Sequence, residues 1–157
     1  MKKIILLICC SFAMQPLFSQ STTCYQKPLF APMPQHSLKD CWTEFKGAMS
    51  LKYKTGEGKV IDTIVRGPFH AARYRFDGQA AKHPKEEYVM KYYAALIKKE
   101  GGTVHLRDAS RVDAIINKNG MDHWINVAYT MGGELRLSTI SVSNAVIDEV
   151  QSALPDQ

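Results

Sequence analysis

The sequence predicts an α+β domain, an antiparallel β-sheet with one long α-helix packed on one face, and it leaves room for a short C-terminal helix. Three observations carry this. One segment, residues 84–99, has helical apolar spacing bounded by Pro84 and by Gly101-Gly102. An Asn-Gly pair, Asn119-Gly120, separates two alternating stretches, the strongest short hairpin signal. Extended segments stand both before and after the helix, giving a strand group, one helix and then a meander.

Taken in order, Trp42 to Lys52 reads as the first strand, Gly56-Glu57-Gly58 as a turn and Val60 to Arg66 as the second strand. Gly67-Pro68 is expected to break it before Ala71 to Phe76 resumes. There His70, Ala72, Tyr74 and Phe76 share one face, and Ala71, Arg73 and Arg75 the other. In the helix, Pro84 suits the first helical position. Glu86 and Glu87 in the first turn and Lys98 and Lys99 in the last suit the helix dipole. Val89, Tyr92, Tyr93, Leu96 and Ile97 form the expected apolar stripe, with a Glu87–Lys91 pair opposite. Thr103 to Leu106, Arg111 to Asn117, Met121 to Thr130 and Glu134 to Val142 follow as strands. Ser143 to Ser152 reads as a short helix presenting Val146, Ile147 and Val150.

The start of the chain has the pattern of a secretory signal peptide over residues 1–20. Lys2 and Lys3 precede an uncharged run from Ile4 to Phe12, and a cut is expected after Ser19 or Gln20. The apolar run is far short of the ~20 residues that span a bilayer, so no transmembrane segment is expected once the leader is removed. Lipidation is the alternative reading of this start. Neither Cys9 nor Cys10 follows a small residue, and Cys24 lies beyond the apolar run. The expected location is therefore periplasmic or secreted. Residues 21–38, with Pro28, Pro32 and Pro34, read as an extended lead-in, and 39–157 as a single domain.

Without residues 1–19, 138 of the 157 residues remain, enough for one core without a metal or disulfide scaffold. The net charge of +5 falls to about +3 once Lys2 and Lys3 are gone. The basic residues, among them Lys52, Lys54, Arg66, Arg73, Arg75, Lys98 and Lys99, are scattered rather than clustered, so nucleic acid is not an expected partner. Cys24 and Cys41 remain after leader removal. In an exported chain they suggest a disulfide closing about 17 residues, worth ~3 kcal/mol in the chain-entropy description. Two free thiols are the other reading.

No catalytic constellation rises above background. Gly56-Glu57-Gly58-Lys59 lacks the spacer and the following Ser/Thr of a phosphate loop. His36, His70, His83, His105 and His123 show no metal-ligand spacing, and no Gly-x-Ser-x-Gly elbow occurs. No cofactor, catalytic residue or metal ligand is therefore expected. Asp113 and Asp122, on either side of the Asn-Gly turn, read as solvated. Trp124 is the one candidate for a binding surface. The odd positions from Met121 to Tyr129 form the core face, which puts Trp124 opposite, where it is either an anchor in water or covered by the lead-in or tail.

Several stretches together carry a family resemblance. Lys27-Pro28-Leu29-Phe30-Ala31-Pro32-Met33-Pro34 resembles a His-Pro-Leu-x-x-Arg-x-Pro opening, with Pro32 near the place of the Arg. Phe45 and Tyr53, then Gly67 and Tyr74, then the paired Tyr92 and Tyr93 follow in order. Lys99, Gly101, Gly102, Thr103 and Val104 fall in a Lys-Glu-Gly-Gly-Thr-Val stretch, and Asn119, Gly120, Trp124 and Val127 match the closing hairpin. The chain resembles the N-terminal module that precedes an OmpA-like peptidoglycan-binding domain in some Gram-negative envelope proteins. Only a short tail follows Val142, so that domain is not expected here and its peptidoglycan binding is not carried over. The module brings no site residues. The resulting expectation is a non-catalytic exported envelope domain that binds a partner protein or cell-wall component. A small secreted hydrolase is the alternative.

Overall fold

Asn119 and Gly120 both take positive φ, 56° and 72°, the backbone that a two-residue type I′ hairpin demands. That turn sets Lys118 opposite Met121 and, counting outward, Asp113 opposite Asn126 and Arg111 opposite Ala128. In the computed structural model, which describes Cys24, residues 28–78 and residues 82–143, the strands are β1 (His36–Lys54), β2 (Val60–Phe76), β3 (Thr103–Arg107), β4 (Arg111–Lys118), β5 (Met121–Tyr129) and β6 (Glu134–Ser143). They form one antiparallel sheet in the order β1-β2-β6-β5-β4-β3. The leader 1–20 and the expected terminal helix, apart from Ser143 at the end of β6, lie outside the described residues.

The fold is mostly sheet. Its helix, α1 (Glu86–Lys99), has 14 residues, so the long helix expected from the sequence is one of ordinary length. Pro84 precedes the N-cap, Lys85, rather than opening the first turn. Glu100 caps the other end, and Gly101 at φ 82° turns the chain. Gly102 N–H then bonds Ile97 O at 2.9 Å and Gly101 N–H bonds Lys98 O at 3.0 Å, a Schellman closure. The buried stripe is Val89, Met90, Tyr93, Ala94 and Ile97. Tyr92 is exposed and Leu96 only partly buried, because the helix rolls its 90/94 edge toward the sheet. Glu87 and Lys91 pair at 2.7 Å on the outer side, which lowers the Glu87 pKa through the hydrogen bond from Lys91.

The helix covers one face of the sheet. Its core includes Ala72 and Tyr74 of β2, Val112 and Ile116 of β4, Ile125 and Val127 of β5 and Leu135 of β6. Phe30 and Met33 of the lead-in are buried in the same core. The Tyr93 hydroxyl accepts the Met33 N–H at 3.1 Å and donates to Ala31 O at 3.4 Å. Burial pushes the Tyr93 phenol far above its ordinary pKa. Cys24 is bonded to Cys41 of β1, their Cα atoms 5.9 Å apart.

β1 and β2 are the longest strands, 19 and 17 residues, and only their inner halves belong to the flat of the sheet. β2 pairs with β6 from Phe69 to Arg75 and not beyond. The Gly67-Pro68 break expected from the sequence is instead a bend within one continuous strand. Pro68 has no N–H for a ladder, and it sits where the β1 register shifts between Glu44 and Gly47, a bulge that absorbs it. Gly47 and Gly67 face each other at the bend. A Cβ on Gly47 would come within 2.3 Å of the Phe69 Cβ, so glycine is required by the close approach. Beyond the bend the outer arm of the hairpin, residues 48–66, folds back across the sheet face opposite the helix. Met49 and Leu51 are buried there against Trp124, Ile140 and Val142.

Candidate functional site

The face under the arm is graded in three rows, each crossing the strands in the order β2, β6, β5, β4. Arg73, Arg136, Ala128 and Arg111 stand side by side, then Ala71, Ser138, Asn126 and Asp113, then Phe69, Ile140, Trp124 and Ile115. The arm seals the apolar row, bridges the polar row and meets the basic row at Arg111, leaving Arg136 exposed.

Asp113 is the hinge of this arrangement. The sequence places it in solvent beside the turn, but it is fully buried. The arm lands on it and takes it out of water. Its carboxylate accepts Lys52 N–H from the arm at 2.8 Å, Asn126 Nδ2 at 2.7 Å and Arg111 Nε at 2.9 Å. Three donors compensate the burial of the charge. Arg111 also donates from Nη2 to Ser50 O at 2.8 Å, so it is fixed to both arm and sheet. Further along, the His105 ring lies 3.3 Å from Lys54 O and stacks 4.4 Å from Tyr53. Burial pulls the His105 pKa down.

Trp124 is likewise not in water. Only 9% of it is exposed, and Tyr53 packs 5.9 Å from its ring. Period-2 alternation places it opposite the helix, as expected, but the arm covers that face. Its buried Nε1 has no partner among the described residues. The tryptophan that reaches solvent is Trp42, 37% exposed, with its ring 6.3 Å from Phe69.

Between arm and sheet lies a depression of about 310 Å³. Trp42 and Phe69 form one side, the arm residues Ala48, Met49 and Ser50 another, and Arg111, Asn126, Arg136 and Ser138 the floor. Beside it Arg73 is bound bidentately by Asp40 and lies 3.5 Å from Glu134. The hydrogen bonds from Arg73 hold the Asp40 carboxyl below its ordinary range. Asp40 in turn raises the Arg73 pKa.

A second depression, about 380 Å³, lies on the helix side and is lined by Leu29, Pro68, His70, Met121, His123, Thr139 and Ser141. Burial lowers the His70 pKa, its Nδ1 meets Thr43 Oγ1 at 3.2 Å, and its Nε2 has no partner among the described residues. His123 Nδ1 lies 2.8 Å from Ser141 Oγ. These two residues are direct cross-strand partners, so register alone accounts for the contact. No carboxylate hydrogen-bonds either ring among the described residues.

Of the five histidines weighed as ligands, His36 is buried between Phe76 and Tyr129, and His83 lies apart at the helix entrance. Among the described residues no three His, Cys, Asp or Glu side chains converge on a possible metal, and no helix is long and apolar enough to cross a membrane. The Cys24–Cys41 bond fits an exported chain. Sequence reasoning missed Arg111, Asp113, Asn126, Arg136 and Trp42 as a group. The Arg111-x-Asp113 spacing and the hairpin register carried the sheet part of it. No family model, curated protein or solved structure matches the chain.

Proposed function

We propose that this chain is a non-catalytic domain of the bacterial cell envelope, periplasmic or secreted, that binds an envelope protein or a cell-wall component. The observation that supports this most is the open depression between arm and sheet. It joins a solvent-reaching Trp42 and Phe69 to guanidinium, amide and hydroxyl groups, the mixture of apolar surface and few polar groups that recognition sites use. The signal-like start of the sequence, the disulfide and the resemblance to envelope modules agree with that location.

The test is cosedimentation of the exported chain with purified cell-wall sacculi, in parallel with cross-linking in intact envelopes. Retention on either, reduced by Trp42→Ala, is expected. New glycan ends or released peptides after incubation with sacculi would instead establish the hydrolase. Loss of that activity in His123→Ala would place it in the second depression.

A further inference from the structure

The basic row is uneven in a way that selects a ligand. Arg73 is engaged by Asp40 and Glu134, and Arg111 by Asp113. Arg136 is exposed and pairs with no carboxylate among the described residues, although it stands directly opposite Arg73. Like charges placed opposite each other on a sheet are unfavourable. Arg111 and Arg136 lie two strands apart, roughly 9–10 Å between backbones at about 4.8 Å per strand. Only the methyl group of Ala128 stands between them. The gap is thus flanked by two guanidinium forks, one held rigid by Asp113 and Ser50, with one net positive charge between Arg111, Asp113 and Arg136. Among the described residues no acidic side chain lines the depression.

We propose that this depression captures the free terminal carboxylate of a peptide. The inference rests on the binding-domain reading above and names its ligand chemistry. The carboxylate lies between Arg111 and Arg136, where planar guanidinium groups match its two oxygens. The side chain of the terminal residue lies against Trp42, Phe69 and Met49. Asn126 and Ser138, both buried in the floor, lie where the peptide amide approaches. A single net charge favours a monoanion over a phosphate dianion, and the volume suits one or two small residues. Such a terminus has two sources: the C-terminus of a protein, with L-residues, and a wall peptide, with D-residues.

The test uses the ¹⁵N-labelled exported chain and four probes: N-acetyl-Ala-Ala as the L,L and the D,D free acid, and the two corresponding C-terminal amides. Inorganic phosphate is a fifth. The readout is the indole N–H resonance of Trp42, assigned with Trp42→Phe. At least one free acid is expected to shift it saturably, with its amide binding at least tenfold more weakly. Arg136→Gln, at an exposed position that leaves the fold intact, is expected to weaken the acid at least fivefold and leave the amide unchanged. Preference for L,L assigns a protein terminus, and preference for D,D a wall peptide. Equal binding of acid and amide, phosphate binding as tight as the acids, no shift at Trp42, or an unaffected Arg136→Gln would each overturn the proposal. Retention on sacculi or envelope that persists in Arg136→Gln, without carboxylate dependence, would refute the ligand and leave the binding-domain reading standing. Carboxylate-dependent binding without any retention would do the reverse.

Discussion

Asp113 on β4 accepts the backbone N–H of Lys52, 61 positions earlier in the chain, at 2.8 Å. With the Arg111 Nη2 bond to Ser50 O, it is a charge-assisted link that joins the hairpin arm to the sheet. Asp113→Ala strands that N–H, the Asn126 amide and the Arg111 guanidinium together, and is expected to cost about 3 kcal/mol. Asp113→Asn keeps the shape and one acceptor and is expected to cost less. Urea unfolding of the two variants measures both. A loss below ~0.5 kcal/mol for the alanine would mean that the arm is held by Met49 and Leu51 alone.

The bend at Gly47 makes a sharper comparison. A methyl group there meets the Phe69 Cβ at 2.3 Å, whereas one on Gly56, in the turn between β1 and β2, meets nothing within 4 Å. Gly47→Ala is expected to destabilise by about 1–3 kcal/mol as an overpacked site. Gly56→Ala is expected to stay within about 0.5 kcal/mol. Thermal unfolding of the pair is the check, and equal effects would place the bend elsewhere.

The two tryptophans should report opposite environments. In a Trp42→Phe background, Trp124 is expected to emit to the blue and resist iodide. In a Trp124→Phe background, Trp42 is expected to emit further to the red and to quench readily. Ready quenching of Trp124 would show that the arm does not cover it in solution.

Acidification should loosen the fold through His70 and His105. Burial lowers both pKa values below the ordinary 6.5, so the native state favours the neutral rings. The contribution is fully present above about pH 6.5 and is lost as pH falls from there through the lower folded values. His70 faces the hydroxyls of Thr43 and Thr139, and among the described residues no carboxylate bonds it to hold a proton. Tm is therefore expected to fall between pH 7 and 5, and to fall less in His70→Gln. A slope unchanged by that substitution would assign the effect to His105 or to the carboxylates.

The local signals in this chain were legible because each is a short-range device. Gly101 and Gly102 close the helix within four residues, and Asn119-Gly120 dictates a register that follows by counting. The alternation from Met121 to Tyr129 correctly puts Trp124 opposite the helix. What alternation cannot show is whether the second face is covered. That depends on where residues 48–54 travel after the Gly47 bend, a contact across more than 60 positions. For this one reason Asp113 reads as solvated and Trp42 is passed over, and the cover over Trp124 is the arm rather than the lead-in or tail. Arg136 reads as an ordinary exposed strand residue until Arg111 and Ala128 are laid beside it in register. The helix stripe is legible in part: Val89, Tyr93 and Ile97 are buried as expected, but Tyr92 and Leu96 fit the 3.6 period as well as Met90 and Ala94, and only docking chooses the rotation.

The folded-back arm has a thermodynamic consequence for anything that occupies the depression. One wall of that space, Ala48 to Ser50, belongs to the arm, and the opposite wall belongs to the sheet. The recess exists only while the two are closed on each other. Occupancy and closure are then linked functions: a molecule that touches both walls tightens the clasp, and its apparent affinity scales with the fraction of chains already clasped. The amide of Lys52, sealed against Asp113, is the natural gauge. Its hydrogen exchange reports the opening of the arm separately from the unfolding of the sheet.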